Sequence, residues 1–511
     1  MTAVKMNQKQ FTVIRNNSPS SAVSEIPLLD HDAFINLITR SLKDEEKHCI
    51  SYYGVRFKER LTLYCFIADD SNGSINVFAH EPAVNDPLLK SVTAEFSQLH
   101  IFEREIHENF GVKFEDHPWL KPVRYPSHRH DKAQTIDNYP FYSIDSEELH
   151  EVGVGPVHAG VIEPGHFRFI CNGEKVLHLE IQLGYQHRGV EELFVSMNNA
   201  LQRCILSESI AGDTSVGHAL AHSQLIESLA HLEVSEGLQA ERCIALELER
   251  LAIHIGDTAA LCGDVAYQPG QAVCEALRTL VINTTQLWCG NRFGKGLVRP
   301  GGTNYPLTGE VADAIIMMTD DITKRFGEIT DSIYSSPSVL GRFDEIGTMT
   351  RKQGLSTGVV GPSARMCGID RDIRKSHPFQ YYRKHSYQPV ILETGDVLAR
   401  GMMRNLEAFE SIRIIRKMTE DWRDKVKEIS KPVYDYKLKP ESFSVSLIEG
   451  WRGEICHSAM TDINGNIIHY KVKDPSMHNW SALALAVRNQ EISDFPVCNK
   501  SFNLSYCGHD L

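Results

Sequence analysis

His218 and His222 stand four residues apart, a spacing that puts two imidazoles on one face of a helix and can hold a metal ion. No Glu follows the first of them, so the H-E-x-x-H arrangement of a zinc protease is missing. Glu163 precedes Pro164, Gly165 and His166 in a loop between two strand-like stretches. A buried carboxyl there with a raised pKa could move protons; an exposed one would be an ordinary turn residue. Glu247, Arg250 and His254 follow at spacings of three and four and share a helical face, which on a surface would be an ion-pair ladder. The chain has 12 cysteines, and the closest two, Cys498 and Cys507, rule out any C-x-x-C. The usual spacing for a zinc ribbon, a redox dithiol or an iron–sulfur cluster held by this chain is therefore absent. Cys65, Cys171 and Cys262 sit in apolar surroundings and read as small buried hydrophobes.

The 511 residues suffice for two or three domains with proper cores. A formal charge of −13 and a pI near 6.0 argue against a nucleic-acid partner. No apolar run approaches the roughly eighteen residues of a membrane span. The start, MTAVKMNQKQ, has no apolar core and no small-residue cleavage site, so no signal peptide is expected and the chain is placed on the cytoplasmic side.

The elements that must position these residues fall into two blocks. Residues 1–25 are polar and serine-rich and read as a flexible tail. Residues 26–125 read as a small α+β domain: a helical pattern from Ala33 to Leu42, strands in ISYYGVRF, ERLTLYCFIAD and SINVFAHEP, then a helix around Leu88 to Phe96. Residues 126–151 lack any period and read as a linker. Residues 152–511 open with strands in GPVHAGVIEPGHFRF and VLHLEIQLGY. Long helices follow: Leu248, Leu251, Ile255, Ala259 and Cys262 step by three or four. Phe409, Ile412, Ile415, Met418, Trp422, Val426 and Ile429 form a second apolar stripe, read as core. SFSVSLIEG, GEICHSAM and NIIHYKV read as strands before a last helix at Trp480–Arg488.

EREIHENFGVKFEDHPWLKP closes the first block. Through Glu103, Arg104, Glu105, Phe110, Gly111, Phe114, His117, Pro118 and Leu120 it resembles the signature of the 30-kDa-type subunit of complex I. In the second block GPVHAGVIEPGHFRF, GYQHRGVEELF, RCIALELERLAIHIGD, NRFGKGLVRPGG, VVGPSARMCGIDRDIR and HPFQYY resemble the 49-kDa-type subunit of complex I. They resemble also the large subunit of energy-converting (group 4) nickel–iron hydrogenases, and each fits that hydrogenase side of the superfamily. The fusion order resembles the large subunit of formate hydrogenlyase-type complexes. The resemblance implies a largely helical hydrogenase-large-subunit-like second domain with small peripheral sheets.

Against that family the sequence departs at four positions. The pattern R-x-C-G-x-C-G-x-A-H fits from Ser209, with Gly212, His218 and Glu227 matching, but Ala211 and Thr214 stand at the cysteines. At the closing D-P-C-x-x-C, Ser505 and Gly508 stand at the cysteines. Nickel in this family needs four thiolates, so no metal and no hydrogenase activity are expected, and an emptied cavity is expected between the segments. The resemblance makes Glu163 a proton-relay carboxylate and places His218 just beyond the first metal-binding segment. It turns His187, Arg188 and His254 toward a 4Fe-4S cluster carried by a partner. The two quinone ligands of complex I fall on Gly212 and Glu163; Tyr506 is a candidate substitute donor.

The function implied is that of a subunit of a membrane-associated, complex I-related oxidoreductase. It would pass electrons from the partner's cluster to a quinone or another small acceptor, itself binding no cofactor alone. The alternative is a non-catalytic coupling subunit that joins an electron-transfer arm to an ion-translocating membrane arm. The implied partners are a small iron–sulfur subunit and membrane-arm subunits, with the chain peripheral on the cytoplasmic face of the inner membrane. A polar, open pocket would favour the first role and a plugged one the second. No G-x-G-x-x-G follows a strand, so no nucleotide is expected to bind this chain.

Overall fold

The structure is a computed structural model that describes residues 9–84, 87–158, 162–423 and 430–511. The architecture is α+β, with four small sheets set around long helices. In the first unit Lys47–Phe57, Arg60–Asp69 and Ser74–His80 form an antiparallel meander. Helices His31–Leu42 and His100–Phe110 pack on one face, where Phe34, Leu37, Ile38, Phe78, Phe102 and Ile106 meet. The Lys47–Phe57 strand is buried on both faces rather than alternately. The reason is that its other side, with Ile50 and Tyr53, joins the core of the second unit. Asp30 caps the first helix through Ala33 N, and Gly111, at φ +74°, ends the second.

Three local expectations are corrected. Residues 12–14 of the expected tail form an edge strand on Ser74–His80, and Ser21–Ala22 pairs with Ser442–Phe443. Asn16 fastens this stretch, its side chain bonding His377 O and both backbone groups of Leu447 at 2.9 Å. No helix forms at Leu88–Phe96: Leu88–Lys90 is a strand parallel to Lys113–Glu115. The turn after it is held by Glu103, which accepts bonds from the Ser91 and Thr93 hydroxyls and Val92 N. The expected linker lies against the second unit, with the Tyr139 hydroxyl and Tyr142 N both donating to Glu180.

The second unit holds a three-stranded sheet, His150–Val154, His166–Asn172 and Lys175–Gln182. A second sheet contains Ser442–Gly450, Gly453–Thr461 and Ile467–Lys473. Helices Glu236–Asp264, Gln268–Cys289, Gly309–Tyr334 and Val397–Trp422 pack together beside them. The second apolar stripe runs along Val397–Trp422; Val426 and Ile429 lie outside the described residues. Helix Ser215–Ala230 is buried on every side against the second sheet, as its lack of a polar face requires. Among the described residues no helix is long and apolar enough to cross a membrane.

Candidate functional site

Three elements meet where the sequence departs from its family. The first is the turn before helix Ser215–Ala230. It contains Ala211 and Thr214, and the helix N-terminus is capped by Glu249, which accepts Val216 N and Gly217 N at 2.7 and 3.1 Å. The second is the closing segment. Helix Phe495–Phe502 stops at Asn503, which takes a left-handed φ of +47° that asparagine tolerates. A short helix then starts at Tyr506, capped by Ser505 Oγ accepting from Gly508 N at 2.9 Å. The third is the hairpin tip Trp451–Arg452 between strands Ser442–Gly450 and Gly453–Thr461.

Arg452 ties the first two elements together. Its Nη1 and Nη2 each donate to Asp213 at 2.6 Å, Nη1 also reaches Thr214 Oγ1 at 3.1 Å, and Nε donates to Asn503 O at 2.6 Å. The pair is bidentate, the strong geometry for a guanidinium and a carboxylate. Trp451 Nε1 donates to Asp213 O, and the guanidinium lies 3.9 Å from the Trp451 ring. On the outer side Arg188 bridges the same segments, donating to Ser209 O, Ile210 O and Cys507 O at 2.7, 2.8 and 3.3 Å. His187 Nδ1 lies 2.8 Å from Asp510 O.

Asp474 closes the inner side. It is buried, its Oδ2 lies 3.1 Å from His218 Nε2, and its Oδ1 accepts Ser476 N at 2.8 Å. Burial alone would raise its pKa; the bond from His218 and the Arg452 charge overcome this and hold the carboxyl below the usual range. Ala211, Thr214 and Ser505 are 0%, 1% and 3% exposed. Cavities of about 670, 530, 500 and 360 Å³ open elsewhere, and none of these four is lined by Ala211, Thr214, Ser505 or Gly508. Where the sequence leads one to expect an emptied cavity, Asp474 lies against Gly508 and Arg452 against Thr214.

These residues do not fit a nickel–iron group. The four positions offer a methyl, two hydroxyls and a hydrogen, no soft donor. Of the two sulfurs in the closing segment, Cys507 sits beside Glu163 and 3.4 Å from Ser505 Oγ. Burial and that carboxylate push its pKa up to about 11, which keeps it a thiol. Among the described residues no group of three His, Cys, Asp or Glu side chains could hold a metal ion.

The remaining sequence candidates are placed as follows. Glu163 is half-buried, and its Oε2 accepts Tyr506 N at 3.3 Å, at the mouth of the closing segment. Tyr506 is packed rather than presented: its ring is 4.9 Å from Trp480 and lies against Phe167 and Gly165. His254 is fully buried and not on a surface ladder. Its Nε2 lies 2.9 Å from Glu407 Oε2 and its ring meets Trp451 edge-on. Glu247, Arg250, Arg365, Arg374, Asp372, Glu407 and Glu449 form a buried ionic knot beneath it. His218 and His222 do not converge on a metal; they join His457 and Tyr470 by hydrogen bonds.

Arg452, Asp474, Asp213, His457 and Tyr470 were missed by sequence reasoning. Arg452 sits at a hairpin tip flanked by Gly450 and Gly453, where the turn hides its role. Asp474–Pro475–Ser476 did carry a signal, since Asp and Pro just before a helical stretch mark a capped start.

Comparison with known proteins identifies the family and the fold. Residues 264–443 match the family described as the respiratory-chain NADH dehydrogenase 49-kDa subunit, and residues 29–132 match the 30-kDa subunit family. A carbon monoxide-induced hydrogenase of Rhodospirillum rubrum is 30% identical over 353 residues, 69% of this chain and 96% of that protein. Formate hydrogenlyase subunit 5 of Escherichia coli is 26% identical over 444 residues, 83% of this chain and 77% of that protein. Among solved structures, a chain of the membrane-bound sulfane sulfur reductase, an archaeal respiratory membrane complex, superposes with a TM-score of 0.66 at 21% identity. That match spans 72% of this chain and all of that one. The chain therefore belongs to the family of complex I 49-kDa-type and energy-converting hydrogenase large subunits, joined here to a 30-kDa-type domain, and is a subunit of a complex I-related oxidoreductase.

Proposed function

We propose that this chain is the nickel-free core subunit of a membrane-associated respiratory complex. It seats a cluster-bearing iron–sulfur subunit through the His187–Arg188 loop and couples electron transfer there to an ion-translocating membrane arm. The old metal cradle serves as a structural clamp. The observation that carries this reading is the bidentate Arg452–Asp213 pair, which with Asn503 O locks together the two segments that would otherwise bracket a substrate. In this reading the closed cradle takes no acceptor between the four positions.

One observation favours the acceptor reading. A polar cavity of about 530 Å³ on the far side of the clamp is lined by Asp213, Asp257, Asp264, Lys500 and Asn503. A small polar acceptor could sit there beside the clamp. The two readings part in an Arg452→Lys variant of the assembled complex. A clamp predicts loss of co-purifying iron–sulfur and membrane subunits, with normal turnover in whatever complex remains. An acceptor site predicts full assembly and a turnover reduced about tenfold or more.

A further inference from the structure

Helix Ser215–Ala230 carries His218 and His222 into the second sheet, where His457 and Tyr470 stand on adjacent strands. Four contacts join five side chains in line. His222 Nδ1 lies 2.9 Å from Tyr470 Oη, and Tyr470 Oη lies 2.8 Å from His457 Nδ1. His457 Nε2 lies 3.0 Å from His218 Nδ1, and His218 Nε2 lies 3.1 Å from Asp474 Oδ2. All five are at most 1% exposed. One atom at the far end, His222 Nε2, is buried with no hydrogen-bond partner.

With Asp474 ionised and the three histidines neutral, proton bookkeeping fixes the direction of every bond. An ionised Asp474 can only accept, so His218 must carry its proton on Nε2. A neutral His218 then has a bare Nδ1, which accepts from His457 Nε2–H. His457 Nδ1 is then bare and accepts the Tyr470 hydroxyl. Tyr470 oxygen in turn accepts His222 Nδ1–H, which leaves His222 Nε2 as a lone pair. The unpartnered atom in the structure is the one this order leaves bare. Burial, with Arg203 and Arg299 nearby, lowers the pKa of His222 to about 3 and keeps it neutral, and burial lowers the pKa of His457 too.

We propose that His222, Tyr470, His457 and His218 form a one-way-ordered proton relay that ends on Asp474 beside the former metal cradle. A proton bound at His222 Nε2 releases the Nδ1 proton to Tyr470 oxygen. The Tyr470 proton passes to His457 Nδ1, the His457 Nε2 proton to His218 Nδ1, and the His218 Nε2 proton to Asp474. One proton enters at His222 and one arrives on Asp474; each intermediate group regains its original charge. No electron moves and no co-reactant is needed. The loaded order, one hop short of delivery, is an imidazolium at His218 paired with the Asp474 carboxylate. The relay belongs to the folded chain and stands whether the cradle is a clamp or adjoins an acceptor.

The test uses the full chain labelled with ¹⁵N-histidine. Nuclear magnetic resonance at neutral pH is expected to show His222 protonated on Nδ1, and His457 and His218 on Nε2. After transfer from heavy to light water, exchange of the His218 ring proton is then followed in the wild type, Tyr470→Phe and His222→Asn. His222→Asn keeps a donor for Tyr470 but has no second ring nitrogen, so it breaks the relay with the bond in place. The relay predicts exchange at His218 slowed about tenfold or more in both variants at unchanged melting temperature. If Tyr470→Phe fails to fold, His222→Asn decides alone. Unchanged exchange, or His457 protonated on Nδ1 at neutral pH, overturns the proposal.

Discussion

Asp474 occupies the space that a side chain at residue 508 would need. A Cβ built on Gly508 falls 2.7 Å from both Asp474 Cγ and Asp474 Oδ2, and 2.9 Å from Ser505 Oγ. Real Cβ atoms essentially never come so close, and Asp474 cannot swing aside cheaply because His218 and Ser476 N hold it. Glycine at 508 is thus demanded by the carboxylate. Gly508→Ala is expected to cost about 1–3 kcal/mol, the usual scale for overpacking a filled core. Thermal unfolding of the variant and of Gly508→Ala/Asp474→Gly together checks it. Because Asp474→Gly alone breaks the bonds to His218 and Ser476 N, the double variant should lose less than the sum of the two single variants, and strict additivity would show that Asp474 is not what excludes the side chain.

The same contact bears on metal loading. Elemental analysis of the purified protein is expected to find no nickel above background. Returning cysteine to positions 211, 214, 505 and 508 should not change that. Gly508→Cys would press a side chain onto Asp474, and Thr214→Cys would remove the hydroxyl that accepts from Arg452. Stoichiometric nickel in either protein would overturn the account of the cradle.

Arg452 is the second half of the plug. Removing its charge leaves the Asn503 carbonyl without this donor and Asp213 with the Thr214 hydroxyl in place of a cation, and a broken buried ion pair costs more than the pair contributes. Arg452→Met is expected to destabilise the chain by about 3–5 kcal/mol. Asp213 keeps 35% of its side chain exposed, so water can partly replace the lost partner and the lower end of that range is expected. Arg452→Met/Asp213→Ala should be less damaged than the sum of the single variants, because the two residues share one interaction. Strict additivity in melting temperature would remove the clamp from the argument.

How far the sequence carried depends on the kind of residue. Helices Glu236–Asp264 and Val397–Trp422 and the three strands after Ser442 were legible, because long periodic patterns report their own burial. The helix expected at Leu88–Phe96 was not, because Leu88, Leu89, Val92 and Phe96 have helical spacing while the parallel partner Lys113–Glu115 and the Glu103-held turn lie some ten to twenty-five residues further on. At the site, four positions could be read off as cysteine departures. What replaced the metal could not: Arg452 and Asp474 come from elements some 240 and 260 residues after Thr214, and nothing local to either reveals that they meet. His254 was legible by spacing but its burial was not, since its covering residues, Glu407 and Trp451, arrive from the other end of the chain.

The buried ionic knot makes a prediction about acid. Burial alone would raise the pKa of Glu247, but the Arg250 and Arg374 guanidiniums, with the Ser411 and Tyr382 hydroxyls, hold it down at about 2. An ordinary glutamate unfolds to a pKa of 4.5. Between those values the unfolded chain binds the extra proton, so stability falls as pH falls. The contribution is fully present above about 4.5 and is lost progressively toward 2; over that span it amounts to about 3 kcal/mol. Glu247→Gln cannot ionise and lacks this contribution at every pH. The wild type is therefore expected to melt well above the variant at pH 6, with the gap narrowing at pH 4 and more at pH 3. A gap that stays constant from pH 6 to pH 3 would mean that Glu247 titrates alike in the folded and unfolded chain, so that the knot does not hold its carboxyl down.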